Sequence, residues 1–294
     1  MARKKFRLRL PGRTLLLGQR TLVMGILNVT PDSFSDGGLY TGVALAVERA
    51  LAMEAAGADV VDIGGESTRP GSRGISAEEE LRRVLPVLEE LREKIRIPIS
   101  IDTSKAEVAE AAAEAGAEIV NDVTGLRNDP QIADVTRRRK LGLILMHMRG
   151  TPETMQTAPF AREVMRDVSA GLRGSVAVAL KAGVGRSQIV VDPGIGFGKS
   201  HEQNCEIIRR LPELAKLGFP LLVGTSRKSF LGTMMKGKFG NESGNDRIWA
   251  TAATVTASIL QGAHIVRVHD VAEMEQVARA ADAVGSPELM RKNW

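Results

Sequence analysis

The segment IPISIDTSKAEVAEAAAEAGAEIVND (residues 97–122) contains one complete copy of the pattern that decides the fold. A short apolar run, residues 97–101, ends at the polar Asp102, and the next apolar run ends at Asn121. Between the two runs, residues 105–115 have the apolar spacing of a helix and stop at a glycine, a common helix terminator. Two short strands joined by a helix are typical of a parallel βαβ unit.

This pattern occurs eight times along the chain, and each apolar run ends in polar residues. The eight polar ends are Asn28, Asp62, Asp102, Asn121, His147, Asp192, the group Ser226, Arg227 and Lys228, and the pair Arg267 and His269. They recur roughly every 34 residues, near the size of one strand, one helix and their crossover. Eight such units predict an α/β fold, a closed (β/α)8 TIM barrel, in which the carboxyl ends of all strands meet at one mouth.

The length of 294 residues is typical of a single barrel domain (1–294), with a barrel core over about residues 20–284. Residues 1–19 are expected to form an N-terminal β-hairpin that covers the barrel floor. The reason is that Phe6, Leu8 and Leu10 alternate with basic residues before a Pro-Gly turn.

Charge and cysteine content restrict the class of protein. The excess of 40 Lys+Arg over 35 Asp+Glu is mild and spread out, which favours small anionic ligands and argues against nucleic acid. The lone Cys205 cannot form an internal disulfide and is expected to be buried in a helix. No secretory signal or membrane segment is recognised, so a cytoplasmic protein is predicted. The run Ile248 to Leu260 is too short to cross a bilayer and is interpreted as a buried or subunit-facing helix.

Two segments rich in glycine and proline follow the first two predicted strands, TPDSFSDGG (30–38) and ESTRPGSRG (66–74). They are either ordinary loops or lids that close over substrate, and their charged residues among glycines favour lids. A third run, GIGFGKS (194–200), is not a phosphate-binding P-loop, because Pro193 stands where the first glycine of that motif is required. No HExxH pair occurs among the 4 histidines, so a zinc site is not expected.

Eight motifs, one for each predicted strand, resemble the dihydropteroate synthase family. They are MGILNVTPDSFSDGG (24–38), DIGGESTRPG (62–71), SIDTSK (100–105), IVNDVTG (119–125), LMHMRGTPETMQ (145–156), DPGIGFGK (192–199), GTSRKSFLG (224–232) and IVRVHDV (265–271). The resemblance implies a transferase of folate biosynthesis. Such an enzyme condenses 6-hydroxymethyl-7,8-dihydropterin pyrophosphate with p-aminobenzoate to give 7,8-dihydropteroate and pyrophosphate. It also implies a homodimer and a pocket in which sulfonamides mimic p-aminobenzoate.

The chemistry of a pterin explains why carboxylates and amides end the strands. Its 2-amino and N3–H edge offers two adjacent donors, which a carboxylate accepts, and its other ring atoms need amide partners. The resemblance assigns to the pterin the residues Asp62, Asp102, Asn121, Met146, Asp192, Gly224 and Lys228. Taken singly, each polar residue of this set is equally well explained as a satisfied group at a strand end.

Pyrophosphate requires cationic clamps and a hard metal ion, because negative charge builds on it as the C–O bond breaks. Arg267 and His269 end the eighth strand, where barrels often bind phosphate. The resemblance adds Asp32 and Arg69 to this group and places Mg²⁺ on the side-chain oxygen of Asn28, since magnesium prefers oxygen ligands, phosphates and water. A cap or a turn is an equally good interpretation of Asn28.

The second substrate, p-aminobenzoate, needs an apolar wall for its ring and donors for its carboxylate. The resemblance points to Thr68, Pro70, Phe197, Lys228 and Ser229. Core packing is the alternative for Phe197, but its place in a glycine-rich turn favours exposure at the mouth.

No serine, cysteine or lysine of this set has an activating partner, so a covalent enzyme intermediate is not expected. The hypothesis is a dissociative displacement in which Asp102, Lys228, Arg267 and His269 are catalytic and Mg²⁺ assists. Three alternatives stay open: a corrinoid methyltransferase that binds methyltetrahydrofolate, a non-catalytic pterin-binding paralogue, and a sugar-phosphate barrel enzyme.

Overall fold

The computed structural model describes residues 3–30, 38–69, 71–151, 153–155, 160–235 and 247–288, with the backbone alone for residues 38–41. Two predicted site residues, Asp32 and Pro70, lie outside the described residues, as does most of the first predicted lid. The other predicted site residues, from Asn28 to His269, are all described.

Ten strands are seen in the described residues. They are β1 (Phe6–Arg9), β2 (Thr14–Leu17), β3 (Leu22–Asn28), β4 (Val60–Gly64), β5 (Ile99–Asp102), β6 (Ile119–Asp122), β7 (Gly142–Met146), β8 (Ile189–Asp192), β9 (Leu222–Val223) and β10 (Ile265–Val268). The last eight form one parallel sheet in the order β8-β7-β6-β5-β4-β3-β10-β9. Val191 of β8 also pairs with Leu221, the residue before β9, and this contact closes the predicted barrel.

Helices follow the barrel strands. They are α1 (Gly38–Ala55), α2 (Ala77–Arg92), α3 (Ala106–Glu114), α4 (Ile132–Arg139), α5 (Val164–Lys181), α6 (His201–Arg209), α7 (Leu211–Leu214), α8 (Ser229–Met234), α9 (Arg247–Leu260) and α10 (Val271–Gly285). None of the described helices combines the length and the apolar character that a membrane crossing demands. The expectation that Cys205 is buried is wrong: its side chain is exposed, because Asn204, Ile207 and Ile208 occupy the inward face of α6.

Side chains of the barrel strands alternate between the helices and the barrel interior, as the period of two requires. Outward residues such as Val61 and Ile101 join the helices in one large apolar cluster. Val60 and Ile265 belong instead to a second cluster at the barrel floor. Asp62 and Arg267 each follow one of these floor residues by two positions, so they lie on the same inward face, one layer closer to the mouth.

The predicted hairpin, β1 paired antiparallel with β2, closes the floor. Its Leu8 and Leu17 are buried at 1% and 0% exposure and pack on the inward residues of the floor cluster. The approach is close: a Cβ on Gly142, the first residue of β7, would lie 2.8 Å from Leu10 Cδ2. Side chains therefore fill the lower half of the barrel, which leaves only the upper half for a ligand.

Candidate active site

A network of charged hydrogen bonds occupies the barrel mouth, and Arg267 is its centre. Arg267 Nε donates to Asp62 Oδ2 at 2.6 Å, and its Nη2 donates to Asp102 Oδ2 at 2.7 Å. Asn121 Nδ2 donates to the same Asp62 oxygen at 3.0 Å. The structure therefore brings together four of the predicted residues from β4, β5, β6 and β10.

Asp62 lies deeper than predicted. It is the third residue of β4 and not its end, and its side chain is fully buried at 0% exposure. Its Oδ1 atom has no hydrogen-bond partner among the described residues. Because an unpaired buried carboxylate oxygen is costly, this atom marks a position where a ligand donor would be stabilising.

Two carboxyl groups of the site have raised pKa values. Burial raises the pKa of Asp102 to about 7; the charge of Arg267 opposes this effect and the neighbouring Asp62 adds to it. Burial likewise raises the pKa of Asp192 to about 6, although the Gly194 N–H donates to its Oδ1 at 2.7 Å. A ligand that presents N–H donors or developing positive charge would favour the ionised carboxylates.

Lys228 stands over the ring of Phe197, with its Nζ 3.9 Å from the ring centre. Burial lowers the pKa of Lys228 to about 8, and the nearby charge of Arg267 lowers it further. Phe197 packs in a small apolar cluster with Val123, Met146, Met148 and Met155. The expectation that Phe197 is exposed is wrong, because these side chains cover it to 7% exposure.

The polar group after β9 points in three directions. Ser226 Oγ lies 3.0 Å from His269 Nδ1, Arg227 forms a salt bridge with Asp270 at the surface, and only Lys228 faces Phe197. Burial lowers the pKa of His269 to about 3, and the charge of Arg227 adds to this effect. Burial thus favours the neutral imidazole of His269, whereas the Arg267 guanidinium beside Asp62 and Asp102 keeps its charge.

Asn28 ends β3 at the rim of the mouth, opposite Gly64 of β4 in the strand register. The described residues contain no group of three or more His, Cys, Asp or Glu side chains that could hold a metal ion. A cation at Asn28 would therefore take most of its ligands from substrate oxygens and water, and magnesium is the ion that tolerates such a site. The residues present fit the predicted metal.

The second predicted lid is anchored at its base. Lys105 pairs with Glu66 and, at 2.6 Å, with the buried Glu80 of α2. Beyond this anchor Thr68 is half-buried and Arg69 is exposed. A cavity of about 510 Å³ lies between this loop and the mouth, and its walls include Thr68, Asp102, Lys105, Val123 and Met148. Ser229 is exposed at the first position of α8.

Comparison with known proteins agrees with this geometry. A sequence profile described as pterin binding enzyme matches residues 24–269. The dihydropteroate synthase of Synechocystis is 48% identical over 274 residues, which cover 93% of each protein. That of Bacillus subtilis is 43% identical, covering 90% of this chain and 89% of its own. The chain belongs to the dihydropteroate synthase family. It is accordingly a transferase.

Solved structures of the dihydropteroate synthase family have the same fold. A Xanthomonas albilineans synthase with 4-aminobenzoic acid superposes with a TM-score of 0.88 at 42% identity, covering 96% of this chain and 99% of that one. A Clostridium difficile synthase in the presence of pteroic acid gives 0.84 at 45% identity, covering 91% and 98%. A Yersinia pestis synthase was solved with a sulfonamide complex, and it gives 0.87 at 40% identity, covering 96% and 100%.

One residue of this synthase site escaped the sequence reasoning. Lys199 is buried at 2% exposure behind Phe197, and its Nζ contacts His147 and the Phe197 carbonyl oxygen. The available signal was a lysine at the end of the glycine-rich run that follows β8. The run also belongs to the family motif of residues 192–199, but neither that resemblance nor the P-loop pattern predicts a role for the lysine.

Proposed function

We propose that this chain joins 6-hydroxymethyl-7,8-dihydropterin pyrophosphate to p-aminobenzoate, with magnesium assisting, and releases 7,8-dihydropteroate and pyrophosphate. The observation that carries the proposal is the buried network of Arg267, Asp62, Asp102 and Asn121. Two structures of dihydropteroate synthase from Xanthomonas albilineans, one with 4-aminobenzoic acid and one with 7,8-dihydropteroate, support the choice of ligands.

The pterin ring would lie in the upper half of the barrel among these polar groups. One oxygen of Asp192 accepts from the Gly194 N–H, which leaves the other oxygen for the donors of the pterin edge. The unpaired Asp62 Oδ1 and the Asn121 amide offer further hydrogen-bond sites. Lys228 would donate to a ring acceptor, and Met146 and Gly224 would complete the walls.

The pyrophosphate group would meet Arg267 and His269 on one side and Asn28 on the other. Arg69 and Asp32, which the resemblance adds to this group, would help to order the loops around the pyrophosphate. Magnesium bound at the Asn28 oxygen supplies positive charge that stabilises the leaving pyrophosphate. Because Arg267 already pairs with two carboxylates, the phosphate oxygens would share its guanidinium with Asp62 and Asp102.

The chemical step needs bond breaking before bond making. The C–O bond to pyrophosphate breaks and its electron pair stays on the phosphate oxygen. The electron-rich dihydropterin would spread the positive charge of the resulting methylene group, and the Asp102 carboxylate would offset that charge. The amine of p-aminobenzoate then forms the C–N bond and releases a proton to water.

The p-aminobenzoate pocket would form beside the pterin. The Phe197 ring would be its apolar wall, and Lys228 and Ser229 would be partners of the carboxylate. Thr68 and Pro70 of the second predicted lid are the further residues predicted for this pocket. Because Phe197 is only 7% exposed, the methionines packed around it would have to shift for its ring to meet p-aminobenzoate. Methionine side chains are flexible enough for such a shift.

The direct test combines purified protein, both substrates and Mg²⁺, and measures pyrophosphate release together with 7,8-dihydropteroate formation. Equal amounts of the two products are expected, with loss of turnover in EDTA. Asn28→Ala should need a higher Mg²⁺ concentration for half-maximal rate. Tight pterin binding without product would indicate the non-catalytic paralogue, and methyl transfer from methyltetrahydrofolate would indicate the corrinoid-linked alternative.

The order of bond events has its own test. With oxygen-18 in the bridging position of the pterin substrate and no p-aminobenzoate, a dissociative step moves the label to non-bridging positions. Retention of the label in competent enzyme would favour concerted displacement.

The proposal extends to a homodimer in the cytoplasm. Helices α9 and α10 pack together and expose Trp249 (75%), Leu260 (49%) and Val284 (72%), large apolar side chains that a second copy would cover. Analytical sedimentation measures the oligomeric state. The wild type is expected to be a dimer and Trp249→Glu a monomer. The lone Cys205 favours a reducing compartment.

A further inference from the structure

Lys199 is a buried cation that the proposed chemistry does not use. Its three ammonium donors have three acceptors in reach: His147 Nδ1 at 3.0 Å, the His147 carbonyl oxygen at 2.9 Å and the Phe197 carbonyl oxygen at 3.0 Å. The side chain thereby joins the segment after β7 to the glycine-rich turn after β8.

These acceptors are all neutral, which is unusual for a buried lysine. Within the described part of the chain Lys199 takes part in no salt bridge, and burial lowers its pKa to about 7 although Asp192 opposes the shift. A methionine would fill similar space without the desolvation cost of a charge. The feature that only lysine provides here is the set of three directed donors.

His147 is a rigid support for this contact. Burial lowers the pKa of His147 to about 2, and the charge of Lys199 lowers it further, so the ring is neutral. Because Nδ1 faces the ammonium, the proton resides on Nε2, which lies 3.5 Å from Asp167 Oδ2 of α5. A Cβ at Gly171 of α5 would lie 2.5 Å from the ring, so this helix fixes the imidazole on its other face.

On its other side Lys199 contacts Phe197, the residue proposed as the apolar wall of the p-aminobenzoate pocket. Gly194, Gly196 and Gly198 lie on both sides of Phe197 with positive φ angles of 67°, 84° and 69°, a backbone conformation that glycine adopts without strain. The Phe197 carbonyl is held by Lys199, while the Phe197 ring lies under Lys228 Nζ. Loss of the Lys199 contact would release the wall on which Lys228 rests.

We infer that Lys199 is a positioning residue that fixes Phe197 on His147 and so sets Phe197 and Lys228 for p-aminobenzoate. The Gly194 end of the turn 194–198 keeps its own N–H donation to Asp192, the carboxylate proposed to bind the pterin. This inference rests on the proposed function and deepens it. Lys199 is buried and holds only protein acceptors, so it would touch neither substrate. Removal of the Lys199 side chain should therefore weaken the binding of p-aminobenzoate much more than the binding of the pterin pyrophosphate.

Steady-state kinetics of Lys199→Met test the inference. The KM for p-aminobenzoate should rise about tenfold, the effect of losing one or two hydrogen bonds. The Kd for the pterin pyrophosphate, measured by calorimetry without p-aminobenzoate, should change less than about threefold. The control is Lys181→Met, an exposed lysine at the end of α5, which should match the wild type in both. An unchanged KM for p-aminobenzoate, or an equal loss for both substrates, would overturn the inference.

A second pair of variants tests the positioning role of Lys199 even if Lys199→Met does not fold. His147→Asn keeps an acceptor near the Nδ1 position, whereas His147→Leu removes it at similar size. The KM for p-aminobenzoate should be nearer to the wild-type value in His147→Asn than in His147→Leu, and equal values would contradict the inference. Wild-type turnover tests the proposed function separately, so a failure of either can be told from a failure of the other.

Discussion

Arg267 Nε lies 2.6 Å from Asp62 Oδ2, although 205 positions separate the two residues along the chain. The contact passes over β3, which lies between β10 and β4 in the sheet. The same guanidinium reaches Asp102 on β5, so one cation neutralises two carboxylates that are otherwise close and buried. The substrate therefore enters a site in which the Arg267 guanidinium is already hydrogen-bonded to Asp62 and Asp102.

Arg267→Gln should lose both activity and stability. It removes the standing cation of the pyrophosphate site, and we expect kcat to fall by about 10² or more. It also leaves Asp62 and Asp102 unpaired, so the free energy of unfolding should fall by about 3 kcal/mol at pH 8. The stability loss should be smaller at pH 5.5, because Asp102, whose pKa burial raises to about 7, is then largely protonated. Urea unfolding at both pH values measures it.

The control for this prediction is Arg227→Gln. Arg227 also pairs with an aspartate, Asp270, but its side chain is 53% exposed. Such a surface pair contributes about 0–1 kcal/mol. Equal destabilisation by the two substitutions would contradict a buried, two-carboxylate role for Arg267.

Gly194→Ala should disrupt the mouth. Gly194 has a φ of +67°, and a Cβ there would lie 1.9 Å from the His147 carbonyl oxygen. The turn must move, and with it the Gly194 N–H that donates to Asp192, so pterin binding should weaken at least about tenfold. Gly174→Ala is the matched control in α5, where a Cβ meets nothing within 4 Å. It should stabilise by about 0.5–1 kcal/mol and leave binding unchanged, and calorimetric titration with the pterin compares the two.

Leu8→Ala tests the barrel floor. Leu8 is 1% exposed and packs on inward residues of the barrel. Its truncation should lower the free energy of unfolding by about 2–5 kcal/mol, with kcat unchanged at temperatures where the protein is folded. Leu16 lies on the same hairpin but is 47% exposed, and Leu16→Ala should cost less than about 1 kcal/mol. Similar melting temperatures for the two variants would argue against a hairpin that seals the floor.

His264 should contribute to acid sensitivity. Its Nδ1 accepts from Leu221 N at 3.1 Å, its Nε2 faces the Lys4 carbonyl at 2.9 Å, and burial lowers its pKa to about 4. The folded-state pKa lies below the usual 6.5, so the unfolded chain binds the proton first. The contribution of His264 to the free energy of unfolding is thus fully present above pH 6.5. It falls by up to about 3 kcal/mol as the pH drops towards 4.

The measurement is the free energy of unfolding at pH 7.5 and pH 5 for the wild type and His264→Gln. The variant should lose less stability between the two pH values. Asp102 and Asp192, whose raised pKa values act in the opposite direction, are present in both proteins and cancel in the comparison. His201→Gln, an exposed site, should behave as the wild type, and an unchanged pH dependence in His264→Gln would rule the histidine out.

Much of the site could be predicted because strand ends are a local property. An apolar run that stops at a polar residue identifies a carboxyl end, and parallel strands bring such ends to one rim. Asp102, Asn121 and Asp192 were located in this way, and all three are inward residues at or near strand ends. Asp62 was placed one layer too high, because β4 continues through Ile63 to Gly64 after it.

The features that the sequence did not predict are the burial of side chains and their hydrogen-bond partners. Phe197 was expected to be exposed, but the methionines that cover it come from other strands and loops. The role of His269 at the pyrophosphate stays a prediction, but the lowered pKa that burial and the neighbouring arginines give it could not be foreseen. Lys199 received no role, because its acceptor His147 lies 52 positions away.

The sequence by itself determined the number of strands, the family, and a polar residue in or near the end of each barrel strand. These follow from period-two and period-3.6 patterns and from short motifs, which are properties of neighbouring residues. Only the closed barrel decided that Arg267 bridges Asp62 and Asp102, that Lys199 supports Phe197, and which groups change their pKa. Hydrogen-bond partners and desolvation depend on distances between strands far apart in the chain, and the register and closure of the sheet set those distances.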